Sequence, residues 1–206
     1  MKIVFASANK NKIREIQTLV RAFLGDGIEI LSLDDIGYTE DIEETGETFE
    51  ENALIKAKVA AGLGYVSIAD DSGLAVEALG GAPGVYSARY CGHHGSDEEN
   101  NNKLLKELEG VSYRNAAYVC AMACAFPDGR EPIVTFGRVE GEILVNPRGQ
   151  GGFGYDPLFW YDPYGKTFAE ITPAEKHAIS HRSKAVRALC ARLAPILAEY
   201  EEKKQD

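Results

Sequence analysis

The chain has 206 residues, 45% hydrophobic and 26% charged, with a formal net charge of −10. That balance describes a globular chain long enough to bury a sizeable core, and no stretch reaches the roughly 20 apolar residues of a membrane span. The 32 acidic against 22 basic residues argue against the broad basic face of duplex nucleic-acid binders, while a few local cations could still hold a small anion.

Lys2 to Ala6 reads as a short buried strand, too short for a signal-peptide core, so a cytoplasmic location is expected. After Ser7-Ala8-Asn9, the spacing of Ile13, Ile16, Leu19, Val20 and Phe23 predicts a helix ended by Gly25 and Gly27. Ile28 to Leu31 begins a second strand, followed by an acidic loop from Asp34 to about Thr48. A second helix, Phe49 to Leu63, carries a small-residue face of Ala53, Leu54, Ala57, Ala60 and Ala61. Val66 to Ala69 is a buried strand running into Asp70-Asp71-Ser72-Gly73, and Leu74 to Val76 returns as another. Ser96 is placed to cap a helix through Leu108. From Ala116 to Leu144 the period falls towards two, predicting antiparallel strands about the turn Pro127 to Arg130. A glycine-rich loop (149–154) precedes the extended Leu158-Phe159-Trp160. Thr172-Pro173-Ala174-Glu175 is a capping box, and Ser180 opens a last helix that Pro195 should kink. The expected fold class is α/β: one domain over residues 1–206, two lobes around a cleft, and a mixed, partly antiparallel sheet.

Cys91, Cys120, Cys124 and Cys190 form no Cys-x-x-Cys or zinc-finger spacing and read as reduced structural thiols. His93 and His94 invite a metal reading, but a loop is the simpler one.

Four segments carry chemical signals. Ser7, Ala8, Asn9, Lys10, Asn11 and Lys12 join a strand to a helix N-terminus, where orphan N–H groups, the dipole and lysines favour an anion; an ordinary polar turn is the alternative. Asp41, Glu43, Glu44 and Glu47 suit a solvated acidic loop. Asp70 and Asp71, adjacent at an apolar strand's end, suit a metal-binding carboxylate with a supporting neighbour, or simply a turn. Gly149 to Gly154 matches the dinucleotide pattern literally, but a strand-like run follows where that fingerprint needs a helix. The loop instead suits close backbone approach to a ligand, with Phe153 stacking on a base, or is purely structural. Finally, the cations about Ser180 (His181, Arg182, Lys184) oppose the helix dipole unless an anion lies beside them; exposed solubilising charge is the simpler reading.

Together SANKNK, EETGETFEENALIKAK, ADDSGLAVEALGGAPGVYSARY, GGFGYDPLF and EKHAISHRSKA closely resemble, in order, the inosine triphosphate pyrophosphatase family, also called dITP/XTP pyrophosphatases. The resemblance implies an elongated two-lobed α/β fold with a central mixed sheet flanked by helices and a nucleotide cleft between the lobes. It also implies a homodimer, Mg²⁺, and hydrolysis of non-canonical purine nucleoside triphosphates (ITP, dITP, XTP) between the α- and β-phosphates. Carried over by position, Ser7 to Lys12 and Lys56 hold the triphosphate, and Asp71 is the catalytic carboxylate and a metal ligand, with Asp70 and Ser72 beside it. Glu44, or Glu43 if the alignment shifts by one, joins the metal. Phe153, Gly154, Tyr155, Asp156, Lys176, His181 and Arg182 hold base and sugar. Ser7-Ala8 stands where the family commonly has threonine and glycine. Donors facing a purine 6-oxygen would leave adenine's 6-amino group donor against donor. A sensor that binds the triphosphate without turnover, or a broad-specificity nucleotide phosphatase, is the alternative.

Overall fold

The computed structural model describes residues 1–93 and 96–202, the last two by backbone alone, so His94 lies outside the described residues. Seven strands form one sheet in the order β2-β1-β3-β4-β5-β6-β7. They are β1 (Lys2–Phe5), β2 (Glu29–Leu31), β3 (Val66–Val76), β4 (Asn115–Ala125), β5 (Ile133–Ile143), β6 (Phe159–Tyr161) and β7 (Lys166–Thr167). β1 runs parallel to β2 and β3, with Ile3 opposite Ile30 and Phe5 opposite Ile68. β6 runs antiparallel to β5 and β7. The sheet is therefore mixed, as the sequence predicts. The helices are α1 (Lys10–Leu24), α2 (Phe49–Gly62), α3 (Asp97–Glu107), α4 (Pro173–Ile179) and α5 (His181–Glu202), and α5 continues through Pro195.

The chain forms two compact units. The first comprises Met1–Asp71, Ala121–Phe136 and Arg182–Asp206; the second comprises Ser72–Cys120 and Gly137–His181.

In the first unit, α2 lays Ala53, Ala57, Ala60 and Ala61 into a core with Val4, Ala6 and Ala69, joined by Ala121, Ala123 and Ala125 from alternate positions of β4. Small side chains on both elements permit close approach, so Ala57→Leu would overpack this core at a cost of about 1–3 kcal/mol. Thr48 caps α2 by accepting from the Glu51 N–H while the Glu51 carboxylate accepts from the Thr48 N–H. Val186, Leu189, Leu193 and Leu197 form the buried stripe of α5. In the second unit, Leu74, Val76, Leu104, Leu108, Tyr118, Phe159 and Phe168 belong to a core whose rings interlock, Tyr118 and Phe159 having centroids 4.5 Å apart.

One element differs from expectation. The turn-like Asp70-Asp71-Ser72-Gly73 does not interrupt the strand: β3 is continuous from Val66 to Val76, with both aspartates buried inside it. Turn propensity yields because Lys12 and Arg182 hold Asp70, and Asn52 holds Asp71, inside the strand. The parallel ladder with β1 ends at Ile68, where the Ala6 N–H donates to the Ile68 carbonyl. Asp70 and Asp71 therefore lie just past the carboxyl end of β1, a position where open α/β sheets place ligand chemistry.

Candidate active site

Asn9 organises the start of α1. Its side-chain oxygen accepts from the N–H groups of Asn11 and Lys12, and Ser7 Oγ accepts from the Asn9 N–H. The cap satisfies these donors and directs Lys12 towards β3, with Lys12 Nζ 3.2 Å from Asp70 Oδ2. Ala8, Asn9, Lys10 and Asn11 are exposed.

Asp70 is completely buried and shares Oδ2 with Arg182, whose Nε donates at 3.1 Å. Arg182, only 1% exposed, also donates from Nη1 to Glu15 Oε2 at 2.6 Å. The anions that the cationic start of α5 requires are thus the protein's own carboxylates. Burial alone would raise the Asp70 pKa, but Lys12, Arg182 and Lys56 outweigh it and hold the carboxyl well below its ordinary value. Asp70 is a fixed anion.

Asp71 is placed differently. Asn52, buried one helical turn from Lys56 on α2, donates to Asp71 Oδ2 at 3.0 Å and accepts the Gly46 N–H, tying the acidic loop to the strand. Lys56 Nζ donates to Glu44 Oε1 at 2.5 Å and stands 4.0 Å from Asp71 Oδ1. Burial raises the Asp71 pKa; Lys56 and Lys12 oppose the rise, Glu44 adds to it, and the net shift is upward. For Lys56, burial acts to lower the pKa but is outweighed by Asp71, Asp70 and Glu44. Glu44 therefore joins Asp71 around one ammonium, whereas Glu43 is exposed. Glu15, Glu44, Asp70 and Asp71 face Lys12, Lys56 and Arg182, four carboxylates against three cations, which is one negative charge in excess.

The second unit contains a separate polar constellation. Asp156, 2% exposed, accepts from Lys176 Nζ at 2.5 Å, from the Phe153 N–H at 3.0 Å and from the Tyr118 hydroxyl at 3.1 Å. Burial, reinforced by Asp156, keeps the Tyr118 hydroxyl protonated far above its usual range. Lys176 Nζ also lies 4.6 Å from the Phe153 ring centroid. Gly152 has φ +72°, and a Cβ there would meet Asp156 Oδ2 at 2.1 Å, so the loop closes on Asp156 only with glycine. Asp97 accepts the Gly154 N–H at 2.7 Å, and Asn101 donates to the Gly154 carbonyl at 3.0 Å. The Tyr155 hydroxyl donates to the Ser87 carbonyl. His181, 5% exposed, stacks on Tyr118 at 4.8 Å.

The structure thus gathers Lys12, Lys56, Asp70, Asp71, Glu44 and Arg182 in the first unit. It gathers Phe153, Gly154, Asp156, Lys176 and His181 in the second. Ser72 is half-buried in the second unit. Two nitrogens of Arg182 are engaged by Asp70 and Glu15. The residues missed from the sequence are the supporting ones: Glu15, Asn52, Tyr118, Asp97 and Asn101. Only Asn52 had a local signal, its i, i+4 spacing to Lys56 on an otherwise alanine-lined face.

A model of the Ham1 family matches residues 3–192 of the chain. The dITP/XTP pyrophosphatase of Bacillus anthracis is 47% identical over 192 residues, covering 91% of this chain and 94% of that protein. The dITP/XTP pyrophosphatase of Geobacter sulfurreducens is 50% identical over 194 residues, with coverages of 91% and 94%. Among solved structures, the Ham1 protein of Staphylococcus aureus superposes with a TM-score of 0.84 at 42% identity, covering 94% of this chain and 98% of its own. A HAM1 protein from Coxiella burnetii gives 0.85 at 43% identity, with coverages of 95% and 99%.

Proposed function

The chain belongs to the Ham1 family, and on that premise we propose that it hydrolyses non-canonical purine nucleoside triphosphates (ITP, dITP and XTP) to the monophosphate and pyrophosphate. The observation that carries the chemistry is the pair Asp70 and Asp71: neighbours on one strand, Asp70 held by Lys12 and Arg182, and Asp71 bonded to Asn52 and sharing Lys56 with Glu44.

Opposed environments on adjacent carboxyls separate their roles. Asp71, with its raised pKa, is assigned as the base that takes a proton from the attacking water. Asp70 is assigned to orient Lys12, whose ammonium then meets the charge developing on the departing pyrophosphate. Lys56 and the segment Ser7 to Asn11, exposed from Ala8 onward, are assigned to the remaining phosphate oxygens, and Ser72 follows Asp71 in sequence.

A triphosphate brought against the Asp71 and Glu44 carboxylates meets like charge unless a divalent cation accompanies it. Asp71 and Glu44 supply oxygen donors only, which fits Mg²⁺ better than a softer ion. When bound, Mg²⁺ neutralises phosphate charge and orients water at the α-phosphorus. Glu44 is preferred over Glu43 because it shares Lys56 with Asp71.

Base recognition is assigned to Lys176 and His181, with Phe153 offering a ring face and Gly154 to Asp156 fixing the loop. Arg182 enters through Asp70 and Glu15, the groups to which it is bonded, in place of a direct contact with the base. The homodimer rests on the resemblance. Among the described residues no helix is long and apolar enough to cross a membrane.

A panel of purine and pyrimidine triphosphates with Mg²⁺, read by the phosphate product, tests the proposal. Pyrophosphate from ITP and XTP, with little from ATP, is expected. Orthophosphate would point to a phosphatase, and no product to a sensor.

A further inference from the structure

The second unit carries a cluster of metal-ligating groups that the proposed reaction does not use. Cys91 Sγ, a His93 ring nitrogen and a Glu99 carboxylate oxygen lie within 4.8 Å of one another. We propose that Cys91, His93 and Glu99 form a second cation site, for Zn²⁺ or a chemically similar transition metal.

The donors are held by structure beneath them. The Cys91 N–H donates at 2.7 Å to Asn100 Oδ1, and Asn100 is itself 3% exposed. Gly92, at φ +109°, makes the tight bend from Cys91 to His93, and its N–H closes the turn on the Arg89 carbonyl. That bend brings Cys91 Sγ to 3.4 Å from the His93 carbonyl oxygen. Glu99 is fixed in the first turn of α3, where the Ser96 side chain accepts its N–H. His93 Nε2 lies 2.9 Å from Glu99 Oε2. Zinc–ligand bonds of about 2.0–2.3 Å place the ligand atoms of one tetrahedral ion about 3.3–3.6 Å apart. The present spacing reaches that geometry by small side-chain movements, with solvent completing the shell.

Donor chemistry selects the ion. A thiolate, an imidazole and one carboxylate favour a borderline-soft cation, whereas Mg²⁺ takes oxygen ligands. This site and the Asp71–Glu44 pair thus differ in the metals they prefer. Binding replaces the Cys91 S–H bond by a sulfur–metal bond and releases the thiol proton to solvent. The first turn of α3 that would carry the ion also carries Asp97, which holds the Gly154 N–H.

The test is titration of the reduced full-length chain with Co²⁺, followed by competition with Zn²⁺. The expected result is one equivalent of thiolate-ligated Co²⁺, counted by its thiolate-to-cobalt charge-transfer band. Cys91→Ser should abolish that band, and Cys91→Ser, His93→Gln and Glu99→Gln should each weaken Zn²⁺ binding by about tenfold or more. The other three cysteines are buried, so the band reports on Cys91 in the folded chain. Co²⁺ binding without a thiolate band, a band that persists in Cys91→Ser, or Zn²⁺ affinity unchanged in Glu99→Gln would overturn the site. Circular dichroism of each variant separates lost ligation from lost folding.

Discussion

Asp71 and Asp156 are both buried carboxylates within reach of a lysine, yet their surroundings differ in kind. Asp156 accepts from an ammonium, a backbone N–H and a hydroxyl, all of which fix the glycine loop against α4. Asp71 accepts from the Asn52 amide and shares Lys56, 4.0 Å away, with the Glu44 carboxylate. The first arrangement satisfies a charge and thereby sets a shape. The second sets two carboxylates about one lysine, and burial raises the Asp71 pKa, which suits a group that must exchange a proton or bind a cation.

The sharpest way to break this comparison is to neutralise each carboxylate. Asp71→Asn should lower kcat by about 10³-fold, the usual scale for losing a positioned base, in a chain that still folds. Because the folded state raises the Asp71 pKa, ionisation of Asp71 above that pKa works against folding. Its stabilising share is complete below the unfolded value and is lost as pH rises through the folded one. Near neutral pH, Asp71→Asn should therefore melt at or above the wild-type temperature; a large fall would place Asp71 with Asp156 as a structural group. Asp156→Ala should do the reverse, costing about 3–5 kcal/mol by stranding the buried Lys176, as read by denaturant unfolding.

Lys12→Ala should lower kcat for ITP by about 10²-fold, the scale for removing one transition-state donor. It should also raise the Asp70 pKa, since the sign of that shift depends on cations outweighing burial. Carbon-detected NMR of the carboxyl would follow it. An unchanged Asp70 would assign its depression to Arg182 and Lys56.

Smaller effects belong to the second unit. His181→Ala should erode the ITP-over-ATP ratio in kcat/KM by roughly one to two powers of ten, the equivalent of about 1–3 kcal/mol for an unsatisfied polar contact. Arg182→Ala should lower turnover of ITP and ATP together, because Arg182 and Lys12 hold the same carboxylate oxygen of Asp70. A selective loss of ITP would return Arg182 to the base.

Much of this was legible in the sequence where a signal is local. Asn9 before a 3.6-residue period, Thr172 three residues before Glu175, and the alanine face of α2 each specify their own element. The mixed sheet followed from alternating βα segments and the two long alternating runs. The reading failed at Asp70 to Gly73, where turn-forming residues stay extended because their partners are distant in sequence: Lys12, Asn52, Lys56 and Arg182. The partners of Arg182 were illegible for the same reason: its guanidinium donates to Glu15, 167 residues away.

Hydrolysis of ITP in heavy-oxygen water, with mass spectrometry of both products, tests the central claim most directly. If Asp71 activates water for attack on the α-phosphorus, the label enters IMP, the pyrophosphate stays unlabelled, and Asp71→Asn yields neither product at a comparable rate. Label in pyrophosphate or orthophosphate, or normal labelling of IMP by Asp71→Asn, would contradict it.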